Sequence, residues 1–101
     1  MTSIVDSAFS DCKSLKSINI PDSVTTIGDK AFSYCKSLTS INISNGVMSI
    51  GDNAFEGCVS LKSIKIPDSV TSIGDYALGE CDSLSPQVKS DIIQRFGENV
   101  F

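Results

Sequence analysis

The sequence predicts a solenoid, a stack of similar coils around one continuous core, and three observations predict it. The chain of 101 residues matches itself at a step of 23, so that Cys12, Cys35, Cys58 and Cys81 recur at that interval, as do Leu15, Leu38, Leu61 and Leu84. The apolar residues fall into columns with the same step, and no single repeat could bury so many alone. After Leu84 the pattern stops and a helical one replaces it. Residues 1–84 therefore read as an array of three complete or nearly complete coils with partial coils at both ends, and residues 85–101 as a C-terminal helical cap.

Within one coil, Leu15, Ile18 and Ile20 suit a short strand whose Ile-x-Ile pair lies on one face. Pro21-Asp22-Ser23 makes a corner, and Val24 and Ile27 suggest a second, shorter extended piece. Gly28 is expected to supply a turn, and Asp29-Lys30-Ala31-Phe32 to form one helical turn capped by Asp29. Coils of this kind stack at the strand spacing of about 4.8 Å. At the C-terminal end, Ser85-Pro86 is an N-cap followed by an N1 proline, and Gly97 is a stop signal. Between them Val88, Ile92, Ile93 and Phe96 form an apolar stripe that would seal the last coil. At the other end no cap precedes Ile4, so Ile4, Phe9, Leu15 and Ile18 are expected on an unpaired coil. Either the chain is the C-terminal piece of a longer array, or two such ends meet about a twofold axis to give a homo-oligomer.

The motif Leu-x-x-Ile-x-Ile-Pro-x-x-Val-x-x-Ile-Gly-x-x-Ala-Phe-x-x-Cys resembles the BspA-like, or Treponema-type, leucine-rich repeats over residues 4–84. The resemblance implies a leucine-rich repeat solenoid, an α/β-type superhelix that is mostly β with short helical turns and has a concave parallel β-sheet. It also implies secretion or display at a bacterial surface, and binding of other proteins, among them host matrix or surface proteins. Three residues depart from the motif: Val5 stands for the turn glycine, Ser44 for the proline and Leu78 for the phenylalanine.

Composition narrows the function classes. A net charge of −4 with scattered Lys and Arg argues against a nucleic-acid footprint. No apolar run approaches the roughly 18 residues of a membrane span, and no signal-peptide pattern occurs in these residues. The absence of histidine removes the commonest general base and a common metal ligand. Serines are abundant, but no Gly-x-Ser-x-Gly or phosphate-binding loop accompanies them. The expectation is a protein that is not an enzyme and uses no cofactor and no metal.

Three columns invite a functional reading. The cysteines are spaced against a zinc site, which takes close pairs, and parallel in-register side chains disfavour disulfides, so free buried thiols are expected. Asp6, Asp29, Asp52 and Asp75 suit capping, with calcium binding as the competing reading. The polar side of the Ile-x-Ile strands carries Ser17 and Asn19, Ser40 and Asn42, then Ser63 and Lys65, flanked by Lys16, Thr39 and Lys62. This strip is the expected ligand-binding face, with Tyr34 and Tyr76 as secondary candidates on the rim or convex side. The leading expectation is a protein-binding or adhesion module acting through this strip. A spacer that self-assembles through Ile4, Phe9, Leu15 and Ile18 is the alternative.

Overall fold

The computed structural model describes residues 3–101. The elements in chain order are β1 (Ser3–Ile4), β2 (Ser17–Ile20), β3 (Thr26–Ile27), β4 (Ser40–Ile43), β5 (Ser49–Ile50), β6 (Ser72–Ile73) and α1 (Pro86–Phe96), followed by a 3-10 turn at Glu98–Val100. The strands form two parallel sheets. The short pieces make one sheet in the order β1-β3-β5-β6, and β2 pairs with β4 in the other. Ser3 lies beside Thr26, Thr26 beside Ser49 and Ser49 beside Ser72, while Ser17 lies beside Ser40 and Ile20 beside Ile43. Every partner is one repeat away, so the sequence period is the structural period.

The coils share one core. Phe32 and Phe55 are fully or almost fully buried, and the rings of Phe9, Phe32 and Phe55 stack at 5.2 and 5.3 Å between centroids. Leu38, Leu61, Val24, Val47 and Ile27 are fully buried in the same core. Buried apolar area of this kind contributes about 25 cal/mol per Å², and here it comes almost wholly from contacts between coils.

Two local expectations are corrected. The Asp-x-Ala-Phe segments are turns; among the described residues the only α-helix is α1. Their amides are used between coils: Ser7 N–H donates to Asp29 C=O, Phe9 to Ala31, Lys30 to Asp52 and Phe32 to Ala54, at 2.7–2.9 Å. An amide engaged with the next coil cannot also close a helical turn. Holding that geometry puts non-glycine residues at positive φ, including Lys30 (59°), Tyr34 (57°), Asn53 (58°) and Tyr76 (56°), an uncommon backbone state for them. The ladder of inter-coil bonds offsets the strain.

The second correction concerns the Asp and Gly columns together. Each aspartate reaches across to the next coil rather than capping its own turn: Asp6 Oδ1 accepts from Asp29 N–H, Asp29 from Asp52 and Asp52 from Asp75, at 2.8–2.9 Å. Gly28 is needed for close approach, not for its turn conformation. A Cβ there would stand 2.5 Å from Asp6 Oδ1 and 2.6 Å from Asp6 N, a distance that real side chains do not reach. Gly51 and Gly74 meet Asp29 and Asp52 in the same way. Val5 occupies this column on the first coil, where no described aspartate faces it, and it is 65% exposed.

At the C-terminal end Ser85 accepts from Val88 N–H, Pro86 opens α1, and Gly97 N–H donates to Ile93 C=O at 2.8 Å. Ile92, on the helix itself, is buried against the coils, with Val88 and Phe96 partly buried beside it. The residues after the helix then act as a further coil edge. Asn99 C=O accepts from Tyr76 N–H and Val100 C=O from Leu78 N–H, at 2.7 and 2.9 Å.

Candidate functional site

The strip opposite the Ile-x-Ile core residues is built by strand alternation. In β4, Ile41 and Ile43 point inward and are buried, so Ser40 and Asn42 must point outward. In β2 the same alternation exposes Ser17 and Asn19, although Ile18 on the first coil is only partly buried. Register then places Ser17 beside Ser40 and Asn19 beside Asn42. The third segment keeps the alternation, with Ile64 and Ile66 at 6% exposure and Ser63 and Lys65 outward, but it is not a ladder strand. Lys62 N–H still donates to Thr39 C=O at 3.3 Å, and beyond it the pairing lapses. The expected three-strand sheet is therefore two strands and one extended neighbour. The guanidinium of Arg95 on α1 donates to the carbonyls of Ile66 and Pro67 at 2.5 and 3.0 Å, which ties the helix to this segment.

Lys16, Thr39 and Lys62 form one exposed column, tied along the backbone by Thr39 N–H to Lys16 C=O at 2.9 Å. The Thr39 hydroxyl also donates to Lys16 C=O at 3.2 Å, which removes it from ligand contact as a donor. Among the described residues the side chains of Ser17, Asn19, Ser40, Asn42 and Ser63 carry no hydrogen bond, so their donors and acceptors are open to a partner. A shallow depression of about 370 Å³ lies where Asn42, Ser44 and Asn45 meet Lys65 and Pro67. A second one, about 400 Å³, separates Ile64–Ile66 from Val88, Asp91 and Ile92 of α1.

The other predicted positions fall elsewhere. Ile4 is buried, whereas Phe9, Leu15 and Ile18 are only partly so, and they end the stack on the first coil. Ile4, Val5, Ala8, Phe9, Ile18 and Val24 line an apolar cavity of about 260 Å³ there. Tyr34 and Tyr76 are exposed on the turn side, away from the strip. Tyr34 donates to Glu56 Oε1 at 3.5 Å, and the negative charge of Glu56, then partial burial and Glu80, hold its phenol above the usual range. The four cysteines are free. Cys35, Cys58 and Cys81 are buried, and each thiol donates to the carbonyl of Phe9, Phe32 or Phe55 on the preceding coil at 3.1–3.2 Å. Burial pushes Cys35 up to about 11, and the adjacent Cys58 thiol adds to the shift. The neighbouring Cys81 thiol, then burial, raises Cys58 as well. These thiols are structural, because a thiolate would lose its carbonyl acceptor and its dry surroundings. Among the described residues no cluster of three Cys, Asp or Glu has metal-binding geometry, and each of Asp6, Asp29 and Asp52 already accepts a backbone bond.

Comparison with known proteins gives this geometry a family. The profile described as BspA type leucine rich repeat region matches residues 1–101, in six copies. The chain belongs to the BspA-type leucine-rich repeat family. Among solved structures it is similar to the leucine-rich repeat protein of T. pallidum (TpLRR), with 37% identity and a TM-score of 0.81 over 82% of this chain and 39% of that one. A leucine rich cell surface protein of Faecalibacterium prausnitzii is 41% identical, with a TM-score of 0.77 over 80% of this chain and 21% of that one. A leucine-rich repeat protein of Bacteroides ovatus is 42% identical, with a TM-score of 0.75 over 78% of this chain and 21% of that one. This BspA-type chain thus spans well under half the length of those relatives. No curated protein matches it. Leucine-rich repeats of this family are generally protein-interaction modules, and no described helix here is long and apolar enough to cross a membrane.

Proposed function

We propose that the chain is a non-catalytic protein-binding module that engages its partner through the Ser17–Asn19, Ser40–Asn42 and Ser63–Lys65 strip, on the concave side implied by the family resemblance. The observation that carries this reading is a row of outward polar side chains held in register by a rigid core, with their hydrogen-bonding groups unspent. Such a surface positions contacts without having to order itself first, which reduces the entropic cost of association. Likeness to the F. prausnitzii cell surface protein supports display at a bacterial surface, and an adhesion role is part of this proposal. Asn42→Trp, an outward substitution at the centre of the strip, should abolish partner binding with no change in circular dichroism. Full affinity in that variant would refute the reading.

A second reading is favoured by the apolar cavity at the first coil and by Val5, which projects beside it. In this reading two copies associate through Ile4, Phe9, Leu15 and Ile18. Sedimentation over a wide concentration range should then show a dimer that Phe9→Lys converts to a monomer. A wild-type chain that stays monomeric throughout would exclude it.

A further inference from the structure

The strip has a charge opposite to that of the molecule around it. Segments 16–20, 39–43 and 62–66 contain Lys16, Lys62 and Lys65 and no Asp or Glu, a charge of +3 in a chain of −4, which leaves −7 for everything else. The three lysines are exposed. Lys16 and Lys62 are two coils apart in one column, about 10 Å at the strand spacing, and Lys65 is three residues along from Lys62, about 10 Å at the extended rise. The turn side has the opposite character, with Asp11, Glu56 and Glu80 all acting to raise the Tyr34 phenol. Asp68 and Asp91 close the strip at its C-terminal limit, where they line the groove beside Lys65.

We propose that the partner presents a carboxylate-rich extended segment, laid across the coils over Lys16, Thr39 and Lys62, with a further carboxylate reaching Lys65. This rests on the strip being the binding face, and it names the chemistry that face selects. Exposed ammonium groups on a flat sheet attract carboxylates within roughly a Debye length, about 8 Å at physiological salt. The acidic turn side and the acidic C-terminal limit repel the same segment, so the attraction also fixes where it lies. Extended backbone suits the floor, because Asn19 and Asn42 each offer a donor and an acceptor to a peptide group. In an extended segment, alternate residues share one face about 7 Å apart, so carboxylates at every second residue stay within reach of the long, flexible lysine side chains.

The test uses the folded chain, immobilised, to select from a displayed library of random peptides. The enriched peptides are then synthesised and titrated against three variants whose fold is checked by circular dichroism. The expected result is enrichment of Asp and Glu, and affinity that falls as salt rises. The triple variant Lys16→Gln, Lys62→Gln, Lys65→Gln should weaken binding about tenfold, the combined effect of three exposed ion pairs. Changing the same residues to Arg should restore it. Peptides without acidic enrichment that still lose binding to Asn42→Trp overturn this inference and leave the strip as the binding face. Peptides indifferent to every variant, or a selection that yields no binder, overturn both.

Discussion

The first and last coils are made of the same columns and end differently. On the last coil Ala77, Cys81 and Leu84 are 0%, 2% and 4% exposed, because α1 and the Glu98–Val100 turn lie against them. On the first coil Ala8 is exposed, and Cys12 and Leu15 are only partly buried. Burial in this molecule therefore belongs to the interface between coils and not to the residue type. The same contrast holds for hydrogen bonds. Cys81 donates to Phe55 C=O, and Leu78 N–H is satisfied by Val100, so the closing segment substitutes for a coil without repeating its sequence.

Three pairs of substitutions should separate the interior of the stack from its ends, the pair with the largest effect first, and a pH series adds a fourth test. Phe32→Ala removes a ring stacked on both faces and should cost about 3–5 kcal/mol, measured by denaturant unfolding. Phe9→Ala, with a ring neighbour on one side, should cost clearly less. Gly51→Ala drives a Cβ into the Asp29 backbone and should destabilise by about 1–3 kcal/mol. Val5→Gly, in the same column on the first coil, should be nearly neutral. Asp29→Ala loses a bond to Asp52 N–H and should cost about 1 kcal/mol. Asp75→Ala should cost less, since no described amide donates to its side chain. The last effect is one of pH. Cys35 titrates near 11 in the folded chain against an ordinary 9, so the thiol form is favoured by folding. Its contribution is complete below pH 9 and is lost as pH rises toward 11. Melting temperature should fall across that window, and Cys35→Ala should lessen the fall without removing it, because Cys58 is raised as well.

The solenoid was legible because stacking forces every coil to repeat the same inward residues, and Cys, Leu, Phe and Ile columns are visible without structure. The helix of the C-terminal cap was legible for local reasons, since Ser85, Pro86 and Gly97 act within one turn of the backbone. What the sequence did not reveal lies between coils. Asp29 and Gly28 look like a cap and a turn when one repeat is read alone, and become a bond and a clearance only when Asp6 and Asp52 are set beside them. The coil-like role of Asn99 and Val100 had a weak signal, two apolar residues, Val100 and Phe101, just after the helix stop. The polar strip was placed by alternation, but the lapse of pairing at Ser63–Ile66 had no signal, since residues 62–66 repeat the pattern of β2 and β4 with Lys65 as the one change.

Native-state hydrogen exchange reads out whether protection follows coil-on-coil contact and whether the closing segment serves as a coil. The amide of Leu78, bonded to Val100, should exchange as slowly as those of Phe32 and Phe55, while Ala8 and Cys12 on the first coil should exchange much faster. A Leu78 amide that exchanges as fast as Ala8, or equal protection in all coils, would contradict that ordering.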